Sequence, residues 1–460
     1  MKMVARKQWG GDRKSLTLLY TALVRSKIDY ASFLYSTAKP TYLTKLDRVQ
    51  YQALRIIGGF MKCTPVIHME AELNILPLKF RREQLMLNYF TKIIRLENHP
   101  VTIAYKSFYN FDFYRYRPWA LPVIGRAKEL IEKANIPTNN LEIITPTDLF
   151  YISVAEVRYN LVTKKRNRPV EELQQKFLDL KDSLYNNYTS IFTDGSRMNG
   201  KTSYAFIVGN HVESNRLPST SSVYTAEMYA IYKAIKYVYL SDIQKAVIFS
   251  DSLSVLQAIA SFKTKCHYMI KLQKLISICG KDIVFEWVPS HVGIHGNTLA
   301  DTAAKNAIEK EFYVNTKIHF YDLRPLIKTF AFQHWQSEWS LTNCSLSRLK
   351  PVLADWKSTY RDVRREEIVL ARLRVGTCLF MYKHHFNTGT PIDFCHSCNV
   401  RNTIFHLLLK CPQLTPYRTG ILAHLEANRL SHSINNILGD DFPSDLLFKF
   451  LKDINYYQRI

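Results

Sequence analysis

Four carboxylates in the middle of the chain stand where carboxylates are costly. Asp194 follows the apolar run of IFTDGS, and Glu227 lies in the first turns of TAEMYAIYKAI. Asp251 ends VIFSDS, and Asp301 lies in GNTLADTAAK. Each interrupts apolar or small residues. Burying a single unpaired carboxylate costs several kcal/mol, so four in one segment need a common neutralising partner. Hard Mg²⁺ or Mn²⁺ fills that role, binding through carboxylates and keeping waters and substrate phosphate as further ligands. Two such ions about 4 Å apart can clamp the attacking and leaving oxygens of a phosphodiester displacement. Taken singly, each acid also fits a helix cap, a strand-end turn or a solvated face. Asp194-Gly195 in particular is a common hairpin signal, with Gly195 letting the chain bend.

The elements that must carry these acids are legible from periodicity. TSIFTDGS, SYAFIVG and HVESNRL are short β-prone runs separated by Gly and Asn turns. SSVYTAEMYAIYKAIKYVYL has helical period, with Ser221 or Ser222 as its cap. KAVIFSDS predicts a fourth strand, DSLSVLQAIAS and HYMIKLQKLISIC two helices, DIVFEWVPS a fifth strand and NTLADTAAKNAIEK a last helix. The order β-β-β-α-β-α-α-β-α describes an α/β domain over 188–310, a mixed five-stranded sheet with helices packed on it. Its flanks read as mainly helical: a basic region over 1–100, a connector over 101–187 with an aromatic and proline-rich stretch SFYNFDFYRYRPW, and a C-terminal region over 311–460.

The middle segment resembles the type 1 ribonuclease H fold, in the version attached to reverse transcriptases of non-LTR, jockey-like retrotransposons. The resemblance rests on TDGS, AEMYAI, SDSLSVLQAI and WVPSHVGIHGNTLADTAAK, in that order. It implies that Asp194, Glu227, Asp251 and Asp301 are the catalytic, metal-binding acids, holding two Mg²⁺ or Mn²⁺ ions. The family's mobile-loop histidine, which assists proton transfer or product release, maps onto His291 in SHVGIHGN; His295 is the weaker choice. It also implies endonucleolytic hydrolysis of the RNA strand of an RNA–DNA hybrid. Acids alone do not separate RNA from DNA; recognition of 2′-hydroxyls does that. Two departures stand out: Thr298 replaces the family's usual Glu, and no long basic insertion precedes Asp301. The alternatives are a catalytically inactive nucleic-acid-binding remnant and a DNA nuclease of related fold.

Charge supports a polyanionic partner. Residues 1–187 hold 30 basic and 17 acidic residues, whereas 188–310 hold 13 and 9, so grip on nucleic acid is expected from the flanks. The block from WGGDRKSLTLLY to LRIIGGF looks like the segment that follows the polymerase palm, its basic helices tracking backbone phosphates. No Tyr- or Phe-initiated Asp-Asp pair occurs; the adjacent pair Asp440 and Asp441 lies near the C-terminus, so the chain is not expected to polymerise. It reads as the C-terminal part of a longer element protein. No apolar run reaches 18 residues, which excludes a membrane-spanning helix, and MKMVARKQWG lacks the apolar core of a secretory signal.

Eight cysteines are too sparse for a disulfide scaffold and suit a reducing, intracellular setting. Three of them gather in FCHSCNVRNTIFHLLLKCP. Cys395, Cys398, His406 and Cys411 form C-x₂-C-x₇-H-x₄-C, a spacing that suits a closed tetrahedral Zn²⁺ site. His396, inside the two-residue gap, is a poor ligand candidate. Similar blocks end many insect non-LTR element proteins, and free thiols with a core histidine are the alternative to zinc.

Overall fold

The apolar runs of the middle segment assemble into one mixed sheet. Its strands are β1 (Glu156–Arg158), β2 (Thr189–Met198), β3 (Lys201–Val208), β4 (His211–Leu217), β5 (Lys245–Ser250) and β6 (Asp282–Trp287), in the spatial order β1-β6-β5-β2-β3-β4. β1, β6, β5 and β2 run parallel, and β2, β3 and β4 form an antiparallel meander. The computed structural model describes residues 1–6, 10–109, 114, 121–143, 155–161, 169–261, 267–382 and 394–460. Most of SFYNFDFYRYRPW therefore lies outside the described residues.

The sheet has one strand more than the five expected. β1 comes from the stretch read as connector and pairs with β6 through Glu156↔Val284, Val157↔Phe285 and Arg158↔Glu286. Three residues carry no alternation signal, so this strand exists only through its partner. The same stretch supplies helix α1 (Val170–Leu184). Central β5 is covered on both faces, and Ala246 to Phe249 are fully buried, which is why KAVIF reads as a continuous apolar run. β4 lies at the sheet edge, where its polar, half-buried Glu213 to Arg216 discourage pairing with another chain.

Four further helices complete the domain: α2 (Val223–Leu240), α3 (Leu253–Ile259), α4 (His267–Cys279) and α5 (His295–Ala307). Ser222 caps α2, its hydroxyl accepting the Thr225 amide at 3.2 Å. Ala226, Ala230, Ala234 and Val238 recur at every fourth position of α2 and are fully buried, a stripe at helical period. The small alanines among them let α2 lie close on β2 and β3. Ile191, Phe206, Ile231, Ile235, Ile248, Phe249 and Phe285 form the middle of the core, each worth about 1.5–3 kcal/mol of burial.

Two compact units make up the described chain. One comprises Phe90–Phe108 and Ile131–Ile327 and contains the sheet; the other comprises Met1–Tyr89, Tyr109–Leu130 and Lys328–Ile460. In the second, N- and C-terminal helices share a core: Leu16, Leu54, Ile57 and Met69 pack with Trp339, Leu346, Ala371 and Val375. Among the described residues, no helix is long and apolar enough to cross a membrane.

Candidate active site

The β2–β5 ladder ends at the rung Thr193↔Ser250. The next residue along each strand, Asp194 and Asp251, therefore emerges side by side at the carboxyl end of a parallel pair. From here β2 continues into the antiparallel meander while β5 leads into α3, so the two acids stand where strand order switches direction. Such crevices are the usual ligand sites of open α/β sheets.

The turn expected at Asp194-Gly195 is absent. β2 runs on to Met198, pairing Asp194 with Ala205 and Gly195 with Tyr204. The reversal comes at Asn199-Gly200, with φ of +52° and +76°, the paired left-handed geometry of a two-residue hairpin turn. Gly195 serves α2 instead. A Cβ there would fall 2.6 Å from the Glu227 nitrogen and 2.9 Å from the Ala226 Cβ. The missing side chain thus lets the first turn of α2 rest on β2 and brings Glu227 over Asp194.

Ligand oxygens of Asp194, Glu227 and Asp251 all lie within 4.8 Å of one another. Asp194 and Glu227 are each only 6% exposed. Burial pushes the Asp194 carboxyl up to about 8, with further upward pressure from Asp251 and Asp301, against Lys305 and a backbone hydrogen bond from Gly195. Glu227 is driven well above the ordinary carboxylate range by burial, then by Asp194 and Asp251. Its Oε2 is buried without a hydrogen-bond partner. Asp251 is also raised by burial, but a hydrogen bond from Asn297 and the nearby His291 hold it down. A group of mutually repelling oxygens, one of them unpartnered, has the composition of a hard-cation site. The residues fit the divalent ions that the acids imply.

Asp301 stands beside this group, not inside it. From α5 it accepts the Lys305 ammonium at 2.7 Å, yet it raises the carboxyls of Asp194, Glu227 and Asp251. His291 is exposed in the loop before α5, with φ of +57°, and Gly293 follows at +73°. His295 opens α5 and is exposed. Gly296 lets that end of α5 approach the sheet, since a Cβ there would meet the Phe192 ring at 2.2 Å. Thr298 is exposed, and its hydroxyl donates back to the Ile294 carbonyl at 3.1 Å.

Two contributors escape a reading of acids alone. Asn297 is 5% exposed and holds Asp251, and only its place inside GNTLAD could have marked it. Asp322, 4% exposed, accepts the Thr225 hydroxyl at 2.9 and 2.8 Å and so ties down the N-terminal turn of α2, two residues before Glu227. It is distant in sequence, and no local pattern marks it.

The second group, in the other unit, is Cys395, Cys398, His406 and Cys411, whose ligand atoms also lie within 4.8 Å of one another. Cys411 Sγ is 3.7 Å from Cys395 Sγ and 3.9 Å from Cys398 Sγ. Those distances exclude disulfides, whose sulfurs sit about 2.05 Å apart, and match the roughly 3.8 Å edge of a tetrahedron with 2.3 Å zinc–sulfur bonds. The turn closes through Asn399 N to Cys395 O and Cys395 N to Val400 O, at 2.9 and 2.8 Å. A hydrogen bond from Ser397 draws the Cys395 thiol down to about 5. His406 Nε2 is buried without a hydrogen-bond partner. His396 is exposed and stands outside the group.

No curated protein matches the chain. Its residues 186–309, the span that holds β2 to α5 and all four acids, match the RNase H family model, and this part of the chain is an RNase H domain.

Proposed function

We propose that the protein cuts the RNA strand of RNA–DNA hybrids endonucleolytically by two-metal-ion catalysis. The observation that carries this reading is the close group of Asp194, Glu227 and Asp251 at the carboxyl ends of β2 and β5, within a span of the RNase H family. Divalent ions, when bound, supply activation of a water and neutralisation of charge on the phosphodiester. Asp194, Glu227 and Asp251 hold them, and Asp301 completes the set once Lys305 yields its carboxylate. Asn297 favours the charged, ligating form of Asp251. His291, on a loop hinged at Gly293, moves a proton or helps product leave.

The same reading makes the protein retrotransposon-derived, of the non-LTR kind, acting inside the cell, with a structural Zn²⁺ on Cys395, Cys398, His406 and Cys411. The test uses purified full chain with labelled RNA–DNA hybrid, duplex DNA and single-stranded RNA, each with Mg²⁺ and with chelator. Metal-dependent cleavage of hybrid alone, abolished in Asp194→Asn, is the expected result. Hybrid binding without cleavage at any Mg²⁺ or Mn²⁺ concentration would replace it with the inactive, binding-only reading.

A further inference from the structure

The unit formed by the two ends of the chain holds a cavity of about 770 Å³ lined by six basic residues, Lys2, Arg6, Arg55, Lys62, Arg364 and Arg372. No carboxylate lines it among the described residues. Ile56 and Ile368 contribute to an apolar floor. The cavity forms where the helix Pro40–Gly58 ends against the helix Arg364–Val375. Gly59 makes that approach, with φ of +61° and its absent Cβ 2.7 Å from Ile368.

The buried arginines there have a structural task and capacity left over. Arg364 donates to the carbonyls of Ile56 and Ile57 at 3.0 and 2.6 Å, and Arg372 to that of Gly59 at 2.7 Å. These are end carbonyls of the Pro40–Gly58 helix, which otherwise lack donors. The negative end of that helix is thereby neutralised, and it does not oppose an anion in the cavity. Arg364 also shares Glu367 at 3.0 Å, and Arg372 donates to Ile460 O at 2.5 Å. Even so, Arg364 Nε and Arg55 Nε are buried donors without a hydrogen-bond partner, and Arg364 is only 5% exposed. Lys2, Arg6 and Lys62 are exposed around them.

We propose that this cavity is a nucleic-acid backbone site, in which phosphates meet the arginine donors and sugar or base rests on the apolar floor. Unpartnered guanidinium donors match phosphate oxygens in geometry and charge. The volume is that of a ligand the size of a nucleotide or more, larger than one small anion needs. A positively charged groove that tracks the backbone is part of the chemistry of strand binding without sequence preference. The choice of a nucleic acid rests on the RNase H reading, since it supplies the kind of polyanion the chain meets. The site itself lies on the unit that does not contain the acids.

The test is fluorescence anisotropy of a labelled RNA–DNA hybrid and of a labelled single strand, in chelator so that no cleavage occurs, across a salt series. Arg6→Glu combined with Lys62→Glu changes only exposed residues. Arg55→Gln removes one unpartnered donor. Lys449→Glu with Lys452→Glu matches the charge change elsewhere on the same unit. Binding is expected to weaken at least tenfold in both cavity variants and not in the matched control. In the double variant, the slope of log affinity against log salt should flatten by about 0.7–0.9 per lost phosphate contact. Equal weakening in the matched control would reduce the site to net charge and overturn it. So would unchanged affinity in both cavity variants. Because cleavage is scored separately with Asp194→Asn, failure of this site and failure of the nuclease reading give different results.

Discussion

Gly195 and Glu227 are held in register by a missing methyl group: a Cβ on Gly195 would sit 2.6 Å from the Glu227 backbone nitrogen. The obstacle is backbone on both sides, so neither can step aside cheaply. Gly195→Ala is expected to lift the first turn of α2 from β2, costing about 1–3 kcal/mol as other overpacked sites do. A displacement near 1 Å of a positioned group can cost about a hundredfold in rate. Hybrid cleavage should therefore fall by roughly that factor while circular dichroism still reports a folded chain. Wild-type rates in Gly195→Ala would show that Glu227 does not depend on this approach.

Asp194 tests the cation site through stability as well as activity. Its carboxyl is raised to about 8 in the folded, ion-free protein, against about 3.9 in an unfolded chain. The folded state thus holds the proton more tightly, and ion-free stability falls as pH rises between those values. Asp194→Asn removes that loss, so in chelator at pH 8 the variant is expected to melt above wild type. Magnesium should reverse the order. Binding at a hundred times its dissociation constant stabilises wild type by about 2.7 kcal/mol and should leave the variant unmoved. Thermal melts at pH 5 and 8, with and without Mg²⁺, read all four corners. A variant stabilised by magnesium as strongly as wild type would remove Asp194 from the ligand set.

These two residues also mark how far the sequence could be read. The acids were visible because each breaks an apolar or small-residue run, a signal that needs no tertiary knowledge. Where Asp194 sits within its strand was not visible. Asp-Gly and Asn-Gly are both turn signals, and cross-strand pairing with β3 together with the approach of α2 decided for Asn199-Gly200. β1 was invisible because three residues, Glu-Val-Arg, become a strand only against β6. The helix Arg364–Val375 misleads in the opposite way: RREEIVLARLRV looks solvated, yet Arg372 and Arg374 are 3% and 2% exposed. Two of their acceptors, Gly59 O for Arg372 and Leu438 O for Arg374, are far along the chain.

Asp322 lies beyond the residues that match the RNase H family, yet it holds the turn that carries Glu227. Asp322→Ala removes the acceptor of the Thr225 hydroxyl, leaving it only the Ser222 hydroxyl at 3.1 Å, and takes an acid from a helix N-terminus, a loss of about 1–3 kcal/mol. A purely structural role would lower the melting temperature alone. A positioning role should also raise the Mg²⁺ concentration needed for half-maximal cleavage, with partial rescue in Asp322→Asn. A magnesium titration unchanged in Asp322→Ala would confine Asp322 to stability.

The cysteine group makes its own prediction. Elemental analysis of protein purified without chelator should find one zinc per chain, and none in Cys398→Ser. Zinc binding of this kind is worth about 10–16 kcal/mol in isolated fingers at neutral pH, so its loss should unfold the segment around Cys395 to Cys411. Hydrogen exchange there should rise strongly while strands β2 and β5 remain protected. Full protection in the zinc-free variant would mean that the segment stands on its core contacts alone.

Glu70 offers a pH test away from any proposed ion. It is 6% exposed and accepts Gln50 Nε2 at 3.2 Å; Gln50 in turn accepts the Tyr20 hydroxyl at 2.6 Å. Burial raises its carboxyl to about 8, outweighing the Gln50 hydrogen bond. The folded value exceeds the unfolded one, so Glu70 weakens the fold as pH climbs from about 4.3 toward 8, by up to roughly 1.4 kcal/mol per pH unit. Glu70→Gln keeps an acceptor for Gln50 and cannot ionise. Its stability relative to wild type in urea melts should grow steadily between pH 5 and 8 and level off above. A difference that stays constant over that range would mean that Glu70 is already charged at pH 5, with a cation compensating it in the folded state.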